Sequence, residues 1–491
     1  MRLRWFFDFL SGTSGRFSAV VIIAATGITA TLGAAKAETL NDAFAQAYLY
    51  NPQLDAQRAT LRATDESVSR ANSGYRPSVN ASADVGRERF ESRPDFGAFS
   101  SSGNTSPRGY NIQLVQPIFR GFRTTNAVNS AEADVRAGRE ALRDVEQQVL
   151  LNVVTQYGNV VRDQAIVRLR ESNLTFLTTE LKATQERFTV GEVTRTDVAQ
   201  AQARLAAGRS GLDLAKANLK SSRAVYEQFV GSPPRNLSEP NPNVKLLPRS
   251  LDDAIGIGTK ENPQVVAALY NEQSARYQIE QIRGELLPEA QLEASFTNRF
   301  DSSRQIEETE TTSVVGRLNV PIYANGGEVY ARVRQAKQSH LARIQAIEQA
   351  RALVQAQVVQ NWSQLEGAKA QLASDKAQIE SNKVALNGVR EEEKVGQRTL
   401  IEVLNAQQEL LNSQIQLENT KRNVLVAAYS VVSAVGRLNV AEVGAAGTIY
   451  DPEAHYHEVR RQWIGLDITH DDSAPPPHDA WSPEVTRAPV K

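Results

Sequence analysis

The side chains best equipped for chemistry are few and poorly grouped. Of the five histidines, His340 falls in a helical stretch and the other four lie beyond residue 441. His455-x-His457 has a spacing open to metal binding, but the tail around it reads as solvated. There is no cysteine, so disulfides, thiolate metal sites and cysteine lipidation are excluded. Serines and aspartates are plentiful, yet no nucleophile elbow activates a serine and no glycine-rich loop cradles phosphate. The 55 basic residues balance 56 acidic ones, which leaves no cationic footprint for nucleic acid. Catalysis has no constellation to rest on, and no cofactor is expected.

What the chain does have is a duplication. Asn51-Pro52-Gln53 recurs as Asn262-Pro263-Gln264, and Pro77 recurs as Pro288, both at an offset of 211. Pro117-Ile118-Phe119 recurs as Pro321-Ile322-Tyr323 at 204, and Val190-Gly191 as Val395-Gly396 at 205. Val153, Val160, Val167, Leu174 and Leu181 map at that last offset onto Val358, Leu365, Leu372, Ile379 and Leu386. A unit of roughly 200 residues is far longer than a solenoid repeat and reads as two copies of one large hairpin.

Each copy predicts the same order of elements. A short helix stops at Asn-Pro, where Asn caps and Pro suits the first turn of the next helix. Period-2 segments follow. Val79, Ala81, Ala83 and Val85 alternate with polar residues, as do Tyr110, Ile112 and Leu114, then Ala290 to Phe296, then Val314 to Ile322. At about ten residues each they have the length of a tilted membrane strand, although a sheet with one wet face alternates identically. Polar loops are expected at Ser92–Arg108 and Asp301–Thr312. Proline-free stretches from about Phe122 to Phe188 and Gly327 to Lys394 predict helices of about 100 Å. Their heptads predict a left-handed seam. Gly191 and Gly396 would turn the chain, and second helices return over about Arg195–Phe229 and Thr399–Val435.

Residues 1–37 read as a secretory leader, with Arg2, Arg4 and Arg16 before an apolar run and Ala35-Lys36-Ala37 as the cleavage site. Repeat 1 then spans 38–232, a Pro- and Asn-rich linker 233–249, repeat 2 250–440, and a disordered tail 441–491 whose His455–Leu466 stretch could dock on the body. Four strands cannot close a barrel, and an open edge is not viable in lipid. If the strands span a membrane, the chain must associate, with eight strands as a dimer or twelve as a trimer.

The ordered set of landmarks resembles the TolC-like outer-membrane factor family over about Thr39–Asn439. The signal rests on the duplication, the Asn-Pro-Gln starts, Gln116-Pro117-Ile118-Phe119, Val320-Pro321-Ile322-Tyr323-Ala324-Asn325-Gly326-Gly327, and the turns Arg187–Val198 and Lys394–Leu404. The resemblance implies a mostly α fold with a small β part: a duplicated helical hairpin forming a trimeric α-helical barrel continuous with a 12-stranded transmembrane β-barrel, four strands per chain. It implies a homotrimer in Gram-negative outer-membrane lipid, exporting proteins or small molecules with a periplasmic adaptor and an inner-membrane ABC or proton-driven transporter. It also implies a periplasmic gate: Glu402 as a ring carboxylate, Arg398 as a bridging arginine, and Thr196 with Asp197 as its partners. Asn405 stands where the family has a second ring acid and Glu393 where it has a gating tyrosine, so Glu393 with Arg195 or Lys394 is an alternative closing pair. The surface near Gly191 and Gly396 would meet the adaptor. A soluble periplasmic coiled-coil adaptor or structural protein is the competing reading.

Overall fold

A computed structural model describes residues 37–92, 101–240, 246–303, 306–445, 449–466 and 468. The expected leader up to residue 36, residues 241–245 of the linker, and the tail beyond 468 lie outside these residues.

The two Asn-Pro-Gln sites show what the repeat preserves. Asn51 ends α1 (Leu40–Tyr50) and starts α2 (Pro52–Asn72); Asn262 ends α5 (Leu251–Glu261) and starts α6 (Pro263–Arg283). Each Asn Oδ1 accepts the Gln N–H two residues on at 2.9 Å. Each Nδ2 donates to a distant helix end, Asn51 to the Phe229 carbonyl at 3.1 Å and Asn262 to that of Ala434 at 2.9 Å. Both side chains are buried. One residue therefore caps a helix, for about 1 kcal/mol, and satisfies a buried carbonyl at the end of its own repeat's last helix.

Four strands make one antiparallel sheet in the order β1 (Ser78–Val85), β4 (Arg108–Arg120), β5 (Glu289–Ser303), β6 (Ile306–Asn319). Register confirms the duplication. Ser78 faces Val115 and Glu289 faces Asn319; 78 + 211 = 289 and 115 + 204 = 319. Apolar residues line up in rows across the strands, as Val79–Leu114–Ala294–Val314 and Ala81–Ile112–Phe296. Polar rows occupy the other face: Ser295 bonds Ser313 at 2.8 Å and Thr297 bonds Asn111 at 2.8 Å. Pro117, which cannot donate to the ladder, sits at a register shift in β4.

The polar loops are smaller than expected. β5 and β6 run on through most of Asp301–Thr312, and β3 (Ser101–Thr105) pairs with β2 (Glu88–Ser92) inside the other. Backbone pairing continues past the apolar rows because a hairpin ladder needs no apolar side chains to satisfy its N–H and C=O groups.

The long helices match expectation closely. α3 (Arg123–Thr189) and α7 (Glu328–Lys394) have 67 residues each, and α4 (Arg195–Val230) and α8 (Leu400–Ala434) return along them. Heptad positions Val153, Val160, Val358, Leu365, Ile379 and Leu386 are buried. Near the sheet the helices stand in the row α2–α3–α6–α7. A belt core around Phe44, Tyr157, Tyr226, Tyr429 and Leu438 joins the two hairpins. There Glu38 Oε1 accepts from the Tyr226 hydroxyl at 2.7 Å, and Oε2 from the Arg235 N–H at 2.9 Å. Burial and the Glu38 carboxylate push the Tyr226 hydroxyl far above its ordinary pKa.

The described part of the tail, expected to be disordered, lies on the body as far as Gln462, whereas Ile464 and Leu466, at the end of the stretch expected to dock, stand exposed. α9 (Val440–Val443) joins the belt, and α10 (Ala454–Val459) lies on α2 and α3. His455 meets the fully buried Asp65 at 3.1 Å, Tyr456 packs on Val68, Ala131 and Val135, and Arg139 bonds Glu453. His455 is thereby engaged by a helix carboxylate. Polar residues read as solvated are held instead by partners far away in sequence.

Candidate functional site: the paired helical turns

The two turns are built alike. Gly191 (φ +81°) and Gly396 (φ +77°) adopt the left-handed conformation that glycine takes without strain. Around them Glu192 N–H reaches the Arg187 carbonyl at 3.0 Å, and Gln397 N–H the Glu392 carbonyl at 2.9 Å. These bonds tie off the carbonyls left free at the ends of α3 and α7.

Asp197 and Glu402 turn out to be caps. Asp197 Oδ2 accepts the Thr194 N–H at 2.9 Å, and Glu402 Oε2 accepts the Thr399 N–H at 2.8 Å. The patterns Thr194-x-x-Asp197 and Thr399-x-x-Glu402 are capping boxes. The Thr-x-x-Asp and Thr-x-x-Glu spacing alone carries that signal in the sequence.

Arg398 donates to Glu392 at 2.8 Å and to Glu402 at 2.9 Å, both within its own hairpin. The expected Arg398–Asp197 bond is not made within the protomer. Distance along the turn decides this, since Glu392 and Glu402 flank Arg398 on the same turn. Arg195 and Thr196 are exposed, and Lys394 pairs with Glu391 at 2.7 Å rather than with Glu393.

Links between hairpins include two arginine bonds that the sequence reading missed, beside a Gln407 Nε2 bond to Asn173 Oδ1 at 3.0 Å. Arg187, in the last turn of α3, bonds Glu393 near the end of α7. Arg204 of α4 donates to Asn405 Oδ1 of α8 at 2.6 Å. Arg390 also stacks its guanidinium over the Phe176 ring at 5.3 Å. Leu177, Ala201, Leu205, Leu400 and Leu404 form the apolar plug beneath. Thus Glu393 and Asn405, at which the resemblance left the closing pairs open, both take part in bonds between the hairpins. A cue existed: Arg187 and Glu393 sit at equivalent helix ends, Arg187 four residues before Gly191 and Glu393 three before Gly396.

Electrostatics follow from these contacts. The Thr399 N–H and then Arg398 hold the Glu402 carboxyl below its ordinary 4.5, while burial and the neighbouring Glu393 charge raise that of Glu180. For Glu402 the folded-state value is depressed. Its contribution to the start of α8 is present above the ordinary value and is lost as pH falls through the lowered one. The protection of the Leu400–Leu404 amides, relative to the intrinsic exchange rate at each pH, should therefore fall on acidification below about pH 4.5, and Glu402→Gln should remove that dependence.

An apolar sheet face left uncovered, a duplicated pair of long helical hairpins and two bonded turns define a membrane duct with a helical extension. The chain belongs to the outer membrane efflux protein family, which it matches over residues 44–232 and 258–437. It is 37% identical to the outer membrane efflux protein BepC of Brucella suis, over 91% of this chain and 96% of that one. It is 26% identical to the outer membrane protein TolC of Escherichia coli, over 82% and 83%. The fold is shared with the Campylobacter jejuni CmeC outer membrane channel at a TM-score of 0.71 and 16% identity, covering 86% of this chain and 89% of that one. The protein is an export channel of the Gram-negative outer membrane, and its fold class is the one the sequence implied.

Proposed function

We propose that three copies close into a twelve-stranded barrel continued by an α-helical tunnel, and that the bonded turns gate its periplasmic mouth. The observation that carries this reading is the uncovered apolar face. Val79, Val314 and Leu318 are 62%, 68% and 68% exposed in the protomer, with no helix among the described residues laid over them. A soluble sheet would bury that face, so the soluble adaptor reading is disfavoured, whereas lipid suits it. β1 and β6 are the open edges, and lipid requires them to be paired.

The duplication supplies the register of that pairing. β4 meets β5 with Leu114 opposite Ala294. Carrying both through the repeat, 114 + 204 = 318 and 294 − 211 = 83, sets Leu318 of one copy opposite Ala83 of the next, both on the apolar face.

Gating needs the turns to part while the helices stay packed. A periplasmic adaptor that contacts the surface near Gly191 and Gly396 and binds the parted form more tightly would shift the equilibrium. An inner-membrane ABC or proton-driven transporter would supply the energy and the cargo. Glu402, Arg398, Asp197, Thr196 and Arg195 then act around the mouth, with Arg398 bracing the Glu402 cap. Planar-bilayer recordings test this. Wild-type protein should form channels that flicker between low and high conductance, and Arg398→Ser should lengthen the open events. Unchanged conductance and open probability would remove Arg398 from the gate.

A further inference from the structure

The docked C-terminal segment ends in an apolar run that, among the described residues, is left largely exposed. Trp463 is 66% exposed, Ile464 93% and Leu466 102%. Polar bonds nevertheless fix its place. Arg76 Nη1 donates to the Gln462 carbonyl at 2.7 Å, the Arg76 guanidinium lies 5.0 Å over the Trp463 ring, and Asn72 Nδ2 donates to the Arg460 carbonyl at 3.3 Å. Beyond Gln462 the run lines a groove of about 680 Å³ with Ala63, Ser67 and Arg70 of α2 and Ser73 just after it.

That stripe of α2 has an equivalent in the second repeat. On α6, the Ser274 hydroxyl meets that of Ser130 on α3 at 2.9 Å, in a buried helix–helix contact. Through the repeat, 274 − 211 = 63 and 130 + 205 = 335. Ala63 is therefore the residue that should face Gln335, on α7 of a neighbouring copy. Ser67 and Arg70 continue the same face at helical spacing. The apolar run lies beside the one stripe of α2 that the duplication assigns to a seam between copies.

We propose that Trp463, Ile464 and Leu466 pack against α7 of a second copy, so that the C-terminal segment straps each subunit seam just below the sheet. The proposal rests on the trimeric reading. Leu341 of that α7, 53% exposed in the protomer, is equivalent to Arg136 (136 + 205 = 341), which lies against Tyr270 of α6, and so would face Ala59 (270 − 211 = 59), one turn before Ala63 at the end of the groove. It supplies an apolar surface on the facing helix. The pull is hydrophobic and the positioning polar, which suits a clasp formed after the helices have met.

Tryptophan quenching tests this on the full mature protein in phospholipid bilayers. The Trp463 signal is the difference between the protein and its Trp463→Phe variant. Packing against a second copy predicts a blue-shifted signal shielded both from aqueous iodide and from phospholipid brominated on its acyl chains. Quenching by the brominated lipid would assign the run to the membrane, and quenching by iodide would leave it uncovered; either overturns the proposal. Ile464→Asp with Leu466→Asp should admit iodide to Trp463 and lower the temperature at which the trimer dissociates. If neither changes, the strap does no work at the seam. An Ala83→Cys/Leu318→Cys disulfide, formed in the sheet, reports assembly separately. Crosslinked trimers with an accessible Trp463 would refute the strap alone, whereas the absence of crosslinking would refute the trimer itself.

Discussion

Replacing Gly284 with leucine should abolish assembly of the channel in the outer membrane. A Cβ at Gly284 would stand 2.3 Å from the Gly121 carbonyl oxygen and 2.7 Å from Arg123 Cγ. The approach is reciprocal, because a Cβ at Gly121, itself at φ +58°, would stand 2.3 Å from the Gly284 carbonyl oxygen. The two carbonyl oxygens are backbone, so no rotamer change relieves these approaches. This is where the β4-to-α3 and α6-to-β5 turns cross, and a shift there would misdirect two strands and two helices together. The cost should be about 3 kcal/mol or more, a large share of a typical folding free energy. Gly316→Ala in β6 is the control, since a Cβ there meets nothing within 4 Å. Outer-membrane abundance of heat-resistant oligomer should collapse for Gly284→Leu and stay near wild type for Gly316→Ala. Normal abundance for both would mean that the crossing yields more easily than its geometry suggests.

Removing the two arginines that tie the hairpins should open the mouth. Arg187→Ala leaves Glu393 without its partner, and Arg204→Ala frees Asn405. Arg187 and Asn405 are solvent-accessible, so each bond is worth about 1 kcal/mol rather than the larger value of a dry pair. Six such bonds in three copies would still amount to several kcal/mol, enough to raise the open probability by at least about tenfold. The apolar plug of Leu177, Leu205 and Leu404 is untouched, so the hairpins should stay helical, as circular dichroism would show. Single-channel recording of the double variant should give long, high-conductance events. Wild-type gating in that variant would show that the parting of the turns is resisted elsewhere.

Sequence and structure agree best where a repeating physical demand fixes the residue type. The long helices were legible to within a residue or two because heptad Val and Leu positions must be buried over many turns, and because Val-Gly marks both reversals. The sheet was legible because register and alternation are coupled in a period-2 element. The turns were legible as turns but not as a bonding network. Arg187 and Arg204 bond across helices; the matching helix-end positions of Arg187 and Glu393 hint at the first bond, but nothing in local spacing announces that Arg204 finds the Asn405 amide. Asp197 and Glu402 are the converse case, where the Thr-x-x-Asp and Thr-x-x-Glu patterns announce a local cap directly. The docked tail was legible only as an option, since its fixation depends on a buried Asp65 whose burial is a tertiary fact.

The sheet offers the most direct test of the whole reading. The chain has no cysteine, so Ala83→Cys with Leu318→Cys introduces the only two thiols. Within one protomer they lie on opposite edge strands, three spacings or about 14 Å apart, too far for a disulfide. Oxidation of the purified outer-membrane protein, followed by non-reducing electrophoresis, should convert monomer into covalent dimer and then trimer, with no larger species. Thiols that remain free, or bands that climb past three, would contradict a barrel closed by three copies.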